Sequence, residues 1–322
     1  MAQQLRVLIV GAGSVGQLYG HIFQRGGAAV EVYVRPEYAE EAVGGFTVYD
    51  RSRGLDEPME FIPEAVRTAP GQIGERHYDA IVLCIPSTGL RGEWIEEFGP
   101  ATGEATVITL TPGLEDREFL GRYIDEERIG AGLITAVAYP APMEGETAPQ
   151  PGTAFWLPPM TPAFFEGPAE RIDPVVSALK KGGMSARRVK NLARRAAFGS
   201  AVLIPFVAVL ETQDWLLSKL RGDKEAMGLL ADVVDEAIGA VEEYLGTKRP
   251  LAARLLSPLT FSGALIAAPK VPPFDLETYL RVHFTKVGEQ TRLLLGEFVE
   301  QRERAGEDSP ALQALLNERK ID

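Results

Sequence analysis

The chain has 322 residues, of which 45% are hydrophobic and 24% are charged, so its composition is that of a globular protein long enough for two domains. Its formal net charge of -12 disfavours a nucleic-acid partner, whose phosphates such a surface would repel. Cys84 is the single cysteine, which excludes an intrachain disulfide or a zinc site with several thiolates and suits a reducing compartment.

Two apolar stretches bear on export and membrane insertion. Residues 1–11 hold one short apolar run interrupted by glycine, which lacks the longer hydrophobic region of a signal peptide. Residues 196–210 form the longest apolar run, but this run contains Pro205 and is shorter than the roughly 20 residues that cross a bilayer. We therefore expect a cytoplasmic protein that does not enter a membrane, with 196–210 as a buried helix.

The first half alternates strand-like and helix-like segments. Continuous apolar runs that end in turn residues predict strands at 5–10, 30–34, 79–86, 105–113, 130–139 and 153–158. Helical periodicity predicts helices at 14–27 and 89–98. Such alternation is typical of βαβ units, in which helices cover both faces of a parallel sheet.

The hydrophobic pattern of the sequence changes near residue 190, where the second half begins. Helical apolar spacing with charged outer faces predicts long helices at 224–246 and 279–306, and the Pro-rich residues 268–274 connect two helices. The predicted fold class is therefore α/β, with an N-terminal Rossmann-type doubly wound parallel sheet followed by a C-terminal all-α domain. We expect a dinucleotide-binding domain over 1–189 and a helical domain for substrate and dimerisation over 190–322.

The first predicted strand runs into a glycine-rich loop with the spacing G-x-G-x-x-G. Between a strand and a helix, this spacing is typical of sites for the pyrophosphate of a dinucleotide, although a flexible turn would carry it too. Gly11 would permit the tight turn, Gly13 would let the phosphates approach the backbone, and Gly16 would let helix and strand pack closely. The predicted loop consists of Gly11, Ala12, Gly13, Ser14, Val15 and Gly16.

The end of the second strand distinguishes nicotinamide cofactors from one another. NAD sites place an acidic residue there for the ribose 2′-hydroxyl, whereas NADP sites place an arginine for the 2′-phosphate. Arg35 holds this place, with Glu37 close by and Glu31 inside the strand. We therefore predict NADP(H), with a solvated loop charge as the alternative for Arg35, and the helical second half disfavours FAD.

Four stretches together resemble the ketopantoate reductase (2-dehydropantoate 2-reductase) family. They are GAGSVGQLYG (11–20), VEVYVRPEY (30–38), GGFTVYD (44–50) and LLLGEFVEQRERAGEDSP (293–310). The resemblance implies reduction of a 2-oxo acid with NADPH, in which a helix lysine protonates the developing alkoxide while a glutamate and asparagines orient the substrate.

The positions that the resemblance assigns to substrate chemistry carry other residues here. Matching the family's proline to Pro205 places Ala196 at the lysine and Ser200 and Ile204 at two asparagines. Anchoring the C-terminal stretch on Gly296 places Gln290 at the glutamate.

Four further correspondences concern the neighbours of these positions. Glu289 precedes Gln290 at the family's threonine, and Thr278 stands at its serine. Pro86 replaces a lysine, and Pro112 with Gly113 replaces an asparagine-glycine pair. We expect Pro86 and Thr111 to line the nicotinamide end of the cofactor.

Two residues could replace the missing proton donor. Lys190 is the nearest lysine to the expected cleft, unless it belongs only to a basic surface cluster that would itself attract an acidic substrate. That cluster comprises Arg187, Arg188, Lys190, Arg194 and Arg195.

His283 is the second candidate. On one continuous helix, Tyr279, His283, Lys286 and Gln290 would share a face. An imidazole on the face of Gln290 could protonate an alkoxide near neutral pH, although a lone helix histidine is more often a surface or packing residue. Glu289 would orient a partner.

The sequence therefore predicts an NADP-dependent reductase or dehydrogenase acting on a small acidic or carbonyl substrate. It contains no metal-binding motif, so we expect no metal. The apolar helix at 196–210 suggests a central position or a homodimer interface. Two alternatives stay open: a related dehydrogenase of the opine or hydroxy-acid type, and an NADP(H)-binding protein that has lost catalysis.

Overall fold

The computed structural model describes residues 4–318, apart from the side chain of Ala252. The chain forms two compact units. The N-terminal unit ends at Leu192 and omits residues 112–114, whereas the helical unit comprises Pro112–Leu114 and the chain from Ala193 onward. The chain thus passes from the N-terminal unit into the helical unit at Pro112 and returns to the N-terminal unit at Glu115.

The N-terminal unit contains all the strands found in residues 4–318. They are β1 (Arg6–Val10), β2 (Ala29–Tyr33), β3 (Phe46–Asp50), β4 (Met59–Phe61), β5 (Val66–Arg67), β6 (Ala80–Leu83), β7 (Thr106–Thr109), β8 (Ile129–Leu133), β9 (Val137–Ala141), β10 (Gly152–Trp156), β11 (Ala163–Glu166) and β12 (Ala186–Arg188).

Eight of these strands form one sheet in the order β12-β11-β8-β7-β6-β1-β2-β5. From β5 to β8 every neighbouring pair is parallel, and β11 joins β8 in antiparallel orientation. The central strands are apolar along their whole length because both sheet faces are covered, so Val7, Leu8, Ile9 and Val82 are fully buried. The predicted α/β class with a parallel N-terminal sheet is confirmed.

The helices of this unit are mostly short. They are α1 (Ser14–Arg25), α2 (Ala39–Val43), α3 (Pro70–Gly74), α4 (Ser87–Leu90), α5 (Trp94–Ala101), α6 (Asp116–Leu120) and α7 (Ala169–Lys181), with 3-10 turns at Pro36–Tyr38 and Glu126–Arg128. The single helix expected over 89–98 was wrong, because the chain turns at Gly92 between α4 and α5. The Trp94 indole N–H closes that turn by donating to the Gly89 carbonyl at 2.9 Å.

A second sheet of four strands, in the order β4-β3-β10-β9, lies in the same unit. Its strand β9 corrects the single strand expected over 130–139: the chain leaves the first sheet after Leu133 and enters the second at Val137. Helix α1 packs on this second sheet, and Phe61 fills the space that a side chain at Gly20 would need. The apolar run 130–139 therefore serves two sheets, which its composition alone does not reveal.

The helical unit is built from α8 (Leu192–Thr212), whose first residue ends the N-terminal unit, and from α9 (Leu217–Gly222), α10 (Lys224–Leu245), α11 (Pro258–Ala267), α12 (Leu276–Lys286), α13 (Gly288–Ala305) and α14 (Pro310–Glu318), with 3-10 turns at Leu251–Leu255 and Ala268–Lys270. Its core includes the fully buried Ala201, Leu210, Leu230 and Leu295. The C-terminal helical region expected from the sequence is confirmed.

Helix α8 contains the apolar run 196–210. Within the described residues it is the one helix long and apolar enough to cross a membrane, and 56% of its most apolar window is buried. Ala208, Val209 and Leu210 are fully buried in the core of the helical unit. Helix α8 is thus the buried helix that the sequence predicts, and core helices commonly meet the same length and composition test.

The helix expected over 279–306 is two helices. Val287 has φ -110° and ψ 26°, outside the helical region, and separates α12 from α13. A β-branched residue followed by Gly288 is a weak helix-forming pair, so the helix ends there at little cost. The prediction that Gln290 shares a continuous helix face with Tyr279, His283 and Lys286 was therefore wrong.

Candidate cofactor site and candidate proton donors

The predicted cofactor residues follow four adjacent strands of the large sheet. Strands β2, β1, β6 and β7 are parallel neighbours, so their carboxyl ends meet at one edge. The glycine loop follows β1, and Arg35, Pro86 and Thr111 follow β2, β6 and β7. The chain goes from β1 to β2 on one side and returns to β6 on the other, which makes this edge a topological switch point where α/β sheets bind ligands.

Gly11 makes the turn out of β1. Its φ is +89°, and a Cβ there would lie 2.7 Å from Cγ2 of Ile85 and 3.0 Å from the Cys84 carbonyl oxygen. Its N–H donates to the Tyr33 carbonyl at 2.9 Å. Only glycine combines this backbone conformation with this closeness to the end of β6.

Gly16 and Gly13 face different surroundings. A Cβ on Gly16 would lie 1.9 Å from the Gly11 carbonyl oxygen, so this glycine lets α1 lie against the end of β1. A Cβ on Gly13 would meet no atom within 4 Å, and Gly13 is exposed. The backbone at Gly13 is therefore open to a ligand.

The first turn of α1 presents unpaired N–H groups beside Gly13. Gly13 is the N-cap and supplies no side-chain cap, and no acidic residue stands in the first turn. Ala12, Ser14 and Val15 are partly exposed, and Gln17 steadies the loop by donating from Nε2 to the Ala12 carbonyl at 2.8 Å. An anion is the partner that such a helix start favours.

Arg35 is exposed directly beyond β2. Its side chain is 71% exposed, its Nε lies 3.2 Å from Oε1 of Glu37, and its Nη2 donates to the Tyr38 hydroxyl at 3.0 Å. The guanidinium also lies over the Tyr38 ring, 5.0 Å from the centroid. A charged group held at the sheet edge with most of its surface in water can bind a phosphate.

Glu31, the carboxylate on β2, is buried and engaged by neighbouring side chains. Arg67 Nε donates to its Oε2 at 2.8 Å, the Tyr78 hydroxyl donates to the same oxygen at 2.7 Å, and Arg6 lies 3.5 Å from Oε1. Burial alone would raise the pKa of Glu31, but these hydrogen bonds and the two arginine charges outweigh burial and lower it. Glu31 therefore stays ionised and has no oxygen aimed at a cofactor ribose.

Pro86 and Thr111 begin the loops after β6 and β7. Pro86 is exposed at the start of α4, and the Thr111 Oγ1 lies 2.5 Å from the Thr109 Oγ1. The sequence did not predict the cluster that joins these loops. Buried Asp116 accepts from the Ser87 hydroxyl at 2.7 Å and from Arg91 Nη1 at 2.6 Å, and this cluster fixes the starts of α4 and α6 together.

Lys190 lies two residues before the start of α8. It is exposed in the connection between β12 and α8, next to Asn191, whose φ is +58°. Glu166 caps the start of α8 by accepting from the N–H groups of Asn191 and Leu192 at 2.9 and 2.8 Å. The role of Lys190 as proton donor stays a prediction.

The basic cluster around Lys190 is partly paired within each unit. Arg188 donates to Asp173 at 2.7 Å, and Arg194 donates to the Lys248 carbonyl at 3.0 Å. Arg188 is thus ion-paired, and Arg194 is hydrogen-bonded to a backbone carbonyl oxygen.

His283 lies half-buried on α12 in a row of aromatic rings. Its ring stacks on Tyr279 with centroids 5.3 Å apart and meets the edge of Phe284 at 4.8 Å, and Tyr279 contacts Phe274 at 5.5 Å. Burial first, and the charge of Lys286 second, lower the pKa of His283 to about 4. The imidazole is thus neutral at pH 7, so donating a proton there would require a bound anion that raises its pKa.

Glu289 and Gln290 lie in the first turn of α13, beyond the break at Val287. Glu289 is exposed and Gln290 is partly exposed. The structure thus puts these two side chains and His283 on different helices, and their roles in orienting a substrate or donor stay predictions.

The segment 112–114 is held by the helical unit through three hydrogen bonds. The buried Glu297 accepts from the Leu114 N–H at 2.9 Å, and the Tyr244 hydroxyl donates to the Leu114 carbonyl at the same distance. The Ser200 hydroxyl donates to the Pro112 carbonyl at 3.4 Å. The sequence marks Ser200 only as a replaced asparagine and does not indicate Glu297, because nothing local to either residue points to a partner in a loop after β7.

The histidines, the cysteine and the carboxylates of residues 4–318 are the side chains that could bind a metal ion. No group of three or more such residues in that range could hold a metal ion. Burial raises the pKa of the Cys84 thiol, which makes it an unreactive side chain at neutral pH.

Residues 7–144 match the family model described as ketopantoate reductase PanE/ApbA. The match covers 138 of the 322 residues, and all of them except 112–114 lie in the N-terminal unit. The matched range includes the glycine loop, Arg35, Pro86 and Thr111, and the resemblance drawn from the sequence motifs is confirmed. No curated protein matches the chain at a significant level.

Solved structures of this family share the fold of the whole chain. A PanE/ApbA family ketopantoate reductase from Ralstonia eutropha JMP134 is 18% identical with a TM-score of 0.74, and the match covers 98% of each chain. A 2-dehydropantoate 2-reductase from Geobacter metallireducens GS-15 is 19% identical with a TM-score of 0.70, covering 97% of this chain and 98% of the other.

The fold is also that of a hydroxy-acid dehydrogenase. A D-mandelate dehydrogenase in a ternary structure with NADH and anilino(oxo)acetate is 14% identical with a TM-score of 0.73, covering 97% of this chain and 96% of the other. At these identities the likeness concerns the fold, so cofactor and substrate are argued from residues.

Proposed function

We propose that this protein is a cytoplasmic NADP(H)-dependent oxidoreductase that interconverts a small 2-oxo acid and the corresponding 2-hydroxy acid. The observation that carries this proposal is the sheet edge at which the open backbone of Gly13 follows β1 and the exposed Arg35 follows the neighbouring strand β2. The PanE/ApbA match over the same residues supports a nicotinamide cofactor.

Different groups of the chain bind different parts of the dinucleotide. The open backbone at Gly13 and the N–H groups of Ser14 and Val15 bind the pyrophosphate, because the helix start has neither a capping side chain nor an acidic residue to compete with it. Arg35 binds the ribose 2′-phosphate by a charge-assisted contact. NADP(H) is favoured over NAD(H) because Glu31 is engaged by Arg67 and Tyr78, and Glu37 is paired with Arg35.

Pro86 and Thr111 border the nicotinamide end. Asp116 holds their loops together through Ser87 and Arg91, so the edge that faces the nicotinamide is fixed in place. When bound, the cofactor supplies a hydride to the carbonyl carbon of the substrate.

Reduction also requires a proton for the carbonyl oxygen, which becomes the hydroxyl of the 2-hydroxy acid. Lys190 and His283 are the candidate donors, with Glu289 and Gln290 as orienting groups. Lys190 is exposed to water, whereas His283 needs the charge of a bound acid to raise its pKa from about 4.

The aromatic row on α12 favours a second candidate within the same reaction class. Phe274, Tyr279, His283 and Phe284 form a chain of ring contacts. Phe274 and Phe284 are buried, and the partly exposed rings of Tyr279 and His283 would suit an aromatic 2-oxo acid. The shared fold with D-mandelate dehydrogenase agrees with this choice.

The deciding experiment measures NADPH oxidation with ketopantoate, with an aromatic 2-oxo acid such as phenylglyoxylate, and with aliphatic 2-oxo acids. Binding of NADPH and NADH is measured in parallel by titration. Turnover of ketopantoate supports the family activity, and preference for phenylglyoxylate supports the aromatic candidate. Tight NADPH binding with no turnover on any member of the panel would contradict the enzymatic proposal and leave an NADP(H)-binding protein without catalysis.

The proton donor is identified with Lys190→Met and His283→Phe. Loss of kcat in one variant, with NADPH affinity unchanged, assigns the donor to that residue. Arg221→Gln, an exposed arginine of α9, is the matched control for loss of surface charge. Unchanged kcat in both variants would contradict both assignments.

A further inference from the structure

The loop after β7 is anchored in the helical unit through Leu114. The Leu114 N–H donates to the carboxylate of Glu297 on α13 at 2.9 Å, and the Leu114 carbonyl accepts from the Tyr244 hydroxyl of α10 at 2.9 Å. The Leu114 side chain packs against the core of the same unit. Both polar backbone groups of this one residue are thus engaged by residues 183 and 130 positions away in the chain.

Glu297 is a carboxylate among apolar side chains. It is only 8% exposed, and its neighbours Leu295 and Phe298 on α13 are buried. Burying a carboxylate costs free energy unless hydrogen bonds compensate it, whereas an apolar side chain fills a core position without that cost. The hydrogen bond to the Leu114 N–H is therefore a feature of this position that an apolar residue could not supply.

The anchored segment lies between two other fixed points. On one side the Thr111 N–H donates to the Thr109 Oγ1 at 3.2 Å, and on the other Asp116 is held by its buried cluster at the start of α6. Two residues separate Thr111 from Leu114, and one of them is Pro112, whose ring fixes φ. A contact that holds Leu114 therefore restricts the position of Thr111 as well.

We propose that Glu297 is a positioning residue for hydride transfer: by holding the Leu114 N–H, it keeps Thr111 at the nicotinamide end of the bound cofactor. This inference rests on the proposed function, in which Thr111 borders the nicotinamide. Glu297 stands outside the positions to which the family resemblance assigns substrate chemistry, and it acts only through the backbone of the loop. Because hydride transfer depends on the distance between the donor and acceptor carbons, a displacement of about 1 Å can slow it by roughly 100-fold.

Glu236 provides a matched control, because it makes the same kind of contact elsewhere in the helical unit. Its carboxylate on α10 accepts from the N–H groups of Ala311 and Leu312 at 3.1 and 2.8 Å, in the first turn of α14. Loss of either carboxylate removes hydrogen bonds to backbone N–H groups, so Glu297→Leu and Glu236→Leu are both expected to lower stability. Only the loss of Glu297 is expected to affect the loop after β7.

The first test is hydrogen–deuterium exchange of the full-length protein without cofactor. Glu297→Leu is expected to speed exchange in residues 110–116 at least about tenfold, because the Leu114 N–H loses its acceptor. Glu297→Gln keeps an acceptor oxygen and is expected to restore most of the protection, whereas Glu236→Leu should leave exchange in 110–116 unchanged. Tyr244→Phe removes only a hydroxyl from the same anchor and replaces Glu297→Leu if that variant does not fold.

The second test measures kcat and the Kd for NADPH with the 2-oxo acid that the unaltered protein turns over. Glu297→Leu is expected to lower kcat by roughly 10- to 100-fold. The Kd for NADPH should stay the same, because the contacts to the phosphates are intact. With NADPH deuterated at C4 of the nicotinamide, the kinetic isotope effect should increase, because hydride transfer becomes slower relative to the other steps. Glu236→Leu should keep the kcat and isotope effect of the unaltered protein.

Unchanged exchange in residues 110–116 of Glu297→Leu would overturn the proposal, and so would equal kcat values for Glu297→Leu and Glu236→Leu. An unaltered protein that binds NADPH but turns over no 2-oxo acid would contradict the proposed function, and the fluorescence of bound NADPH then decides the role of Glu297. An emission maximum shifted in Glu297→Leu but not in Glu236→Leu supports the positioning of Thr111 at the nicotinamide. An emission spectrum that is the same in both variants overturns it.

Discussion

A Cβ atom on Gly16 would lie 1.9 Å from the carbonyl oxygen of Gly11, five residues earlier in the chain. Helix α1 therefore packs against the turn that ends β1. This packing holds the first N–H groups of the helix at the carboxyl edge of the sheet. This one contact joins the fold to the candidate cofactor site, since moving the helix away would also move the groups that face the phosphates.

Gly16→Ala is expected to destabilise the N-terminal unit. The added methyl group would overlap backbone, which cannot move aside as a flexible side chain can, so we expect a loss of roughly 2 kcal/mol or more in the free energy of unfolding. Urea unfolding followed by circular dichroism measures it. Gly228→Ala on α10, where a Cβ meets no atom within 4 Å, is the control and should be neutral or slightly stabilising. Equal stability of Gly16→Ala and the unaltered protein would contradict the packing described for α1.

Gly13→Ala is expected to separate binding from folding. Its Cβ meets no protein atom within 4 Å, so stability should be unchanged, but the methyl group would stand where the pyrophosphate approaches the backbone. We expect the Kd for NADPH to rise at least about tenfold, which is about 1.4 kcal/mol. Fluorescence titration with NADPH measures this change, and undiminished affinity would show that the loop does not bind the cofactor.

Arg35→Gln is expected to change the preference between cofactors. Loss of a charge-assisted contact costs about 1.5–3 kcal/mol, so NADPH affinity should fall by roughly 10- to 100-fold while NADH affinity stays nearly the same. Parallel titrations with the two cofactors give the ratio, with Arg221→Gln as the control. If the affinities for NADPH and NADH fell equally, Arg35 would not be binding the 2′-phosphate.

His283 is expected to link stability to pH. Its pKa is about 4 in the folded protein and 6.5 in its unperturbed state, so the unfolded chain takes up the proton first as pH falls. The stability that neutral His283 provides is complete above pH 6.5 and is lost progressively between pH 6.5 and 4. Burial lowers the pKa of His21 as well, so its contribution has the same sign.

His283→Phe keeps the ring contacts with Tyr279 and removes the titration. Between pH 7 and 4.5 the unaltered protein should therefore lose about 1–3 kcal/mol more stability than the variant. Urea unfolding at both pH values gives this difference, and NMR titration of the imidazole gives the pKa directly. An imidazole that titrates near 6.5 in the free protein would contradict this expectation and strengthen His283 as a proton donor.

Features that depend on neighbours along the chain could be predicted from the sequence. The spacing of Gly11, Gly13 and Gly16 follows a continuous apolar run, and Arg35 follows the next one, so the order of β1, α1 and β2 was predictable. The apolar run 196–210 predicted the buried helix α8, and the helical periodicity after residue 190 predicted an all-helical second half. Backbone conformation and local periodicity carry this information, because they depend on residues a few positions apart.

Features that depend on partners distant in the chain could be seen only in the folded protein. Strand β3 pairs with β10, about a hundred residues later, so the second sheet has no local signal. The break at Val287 removed Gln290 from the helix of His283, because weak helix formers end a helix only where packing permits it. Burial in the fold lowered the pKa of His283. Glu297 accepts from the Leu114 N–H, although the two residues are 183 positions apart in the chain. No element was predicted from the sequence for residues 258–267, and the direction of the two faces of helix α11 was decided by what packs against Phe261 and Leu265, since hydrophobic burial acts in space and not along the sequence.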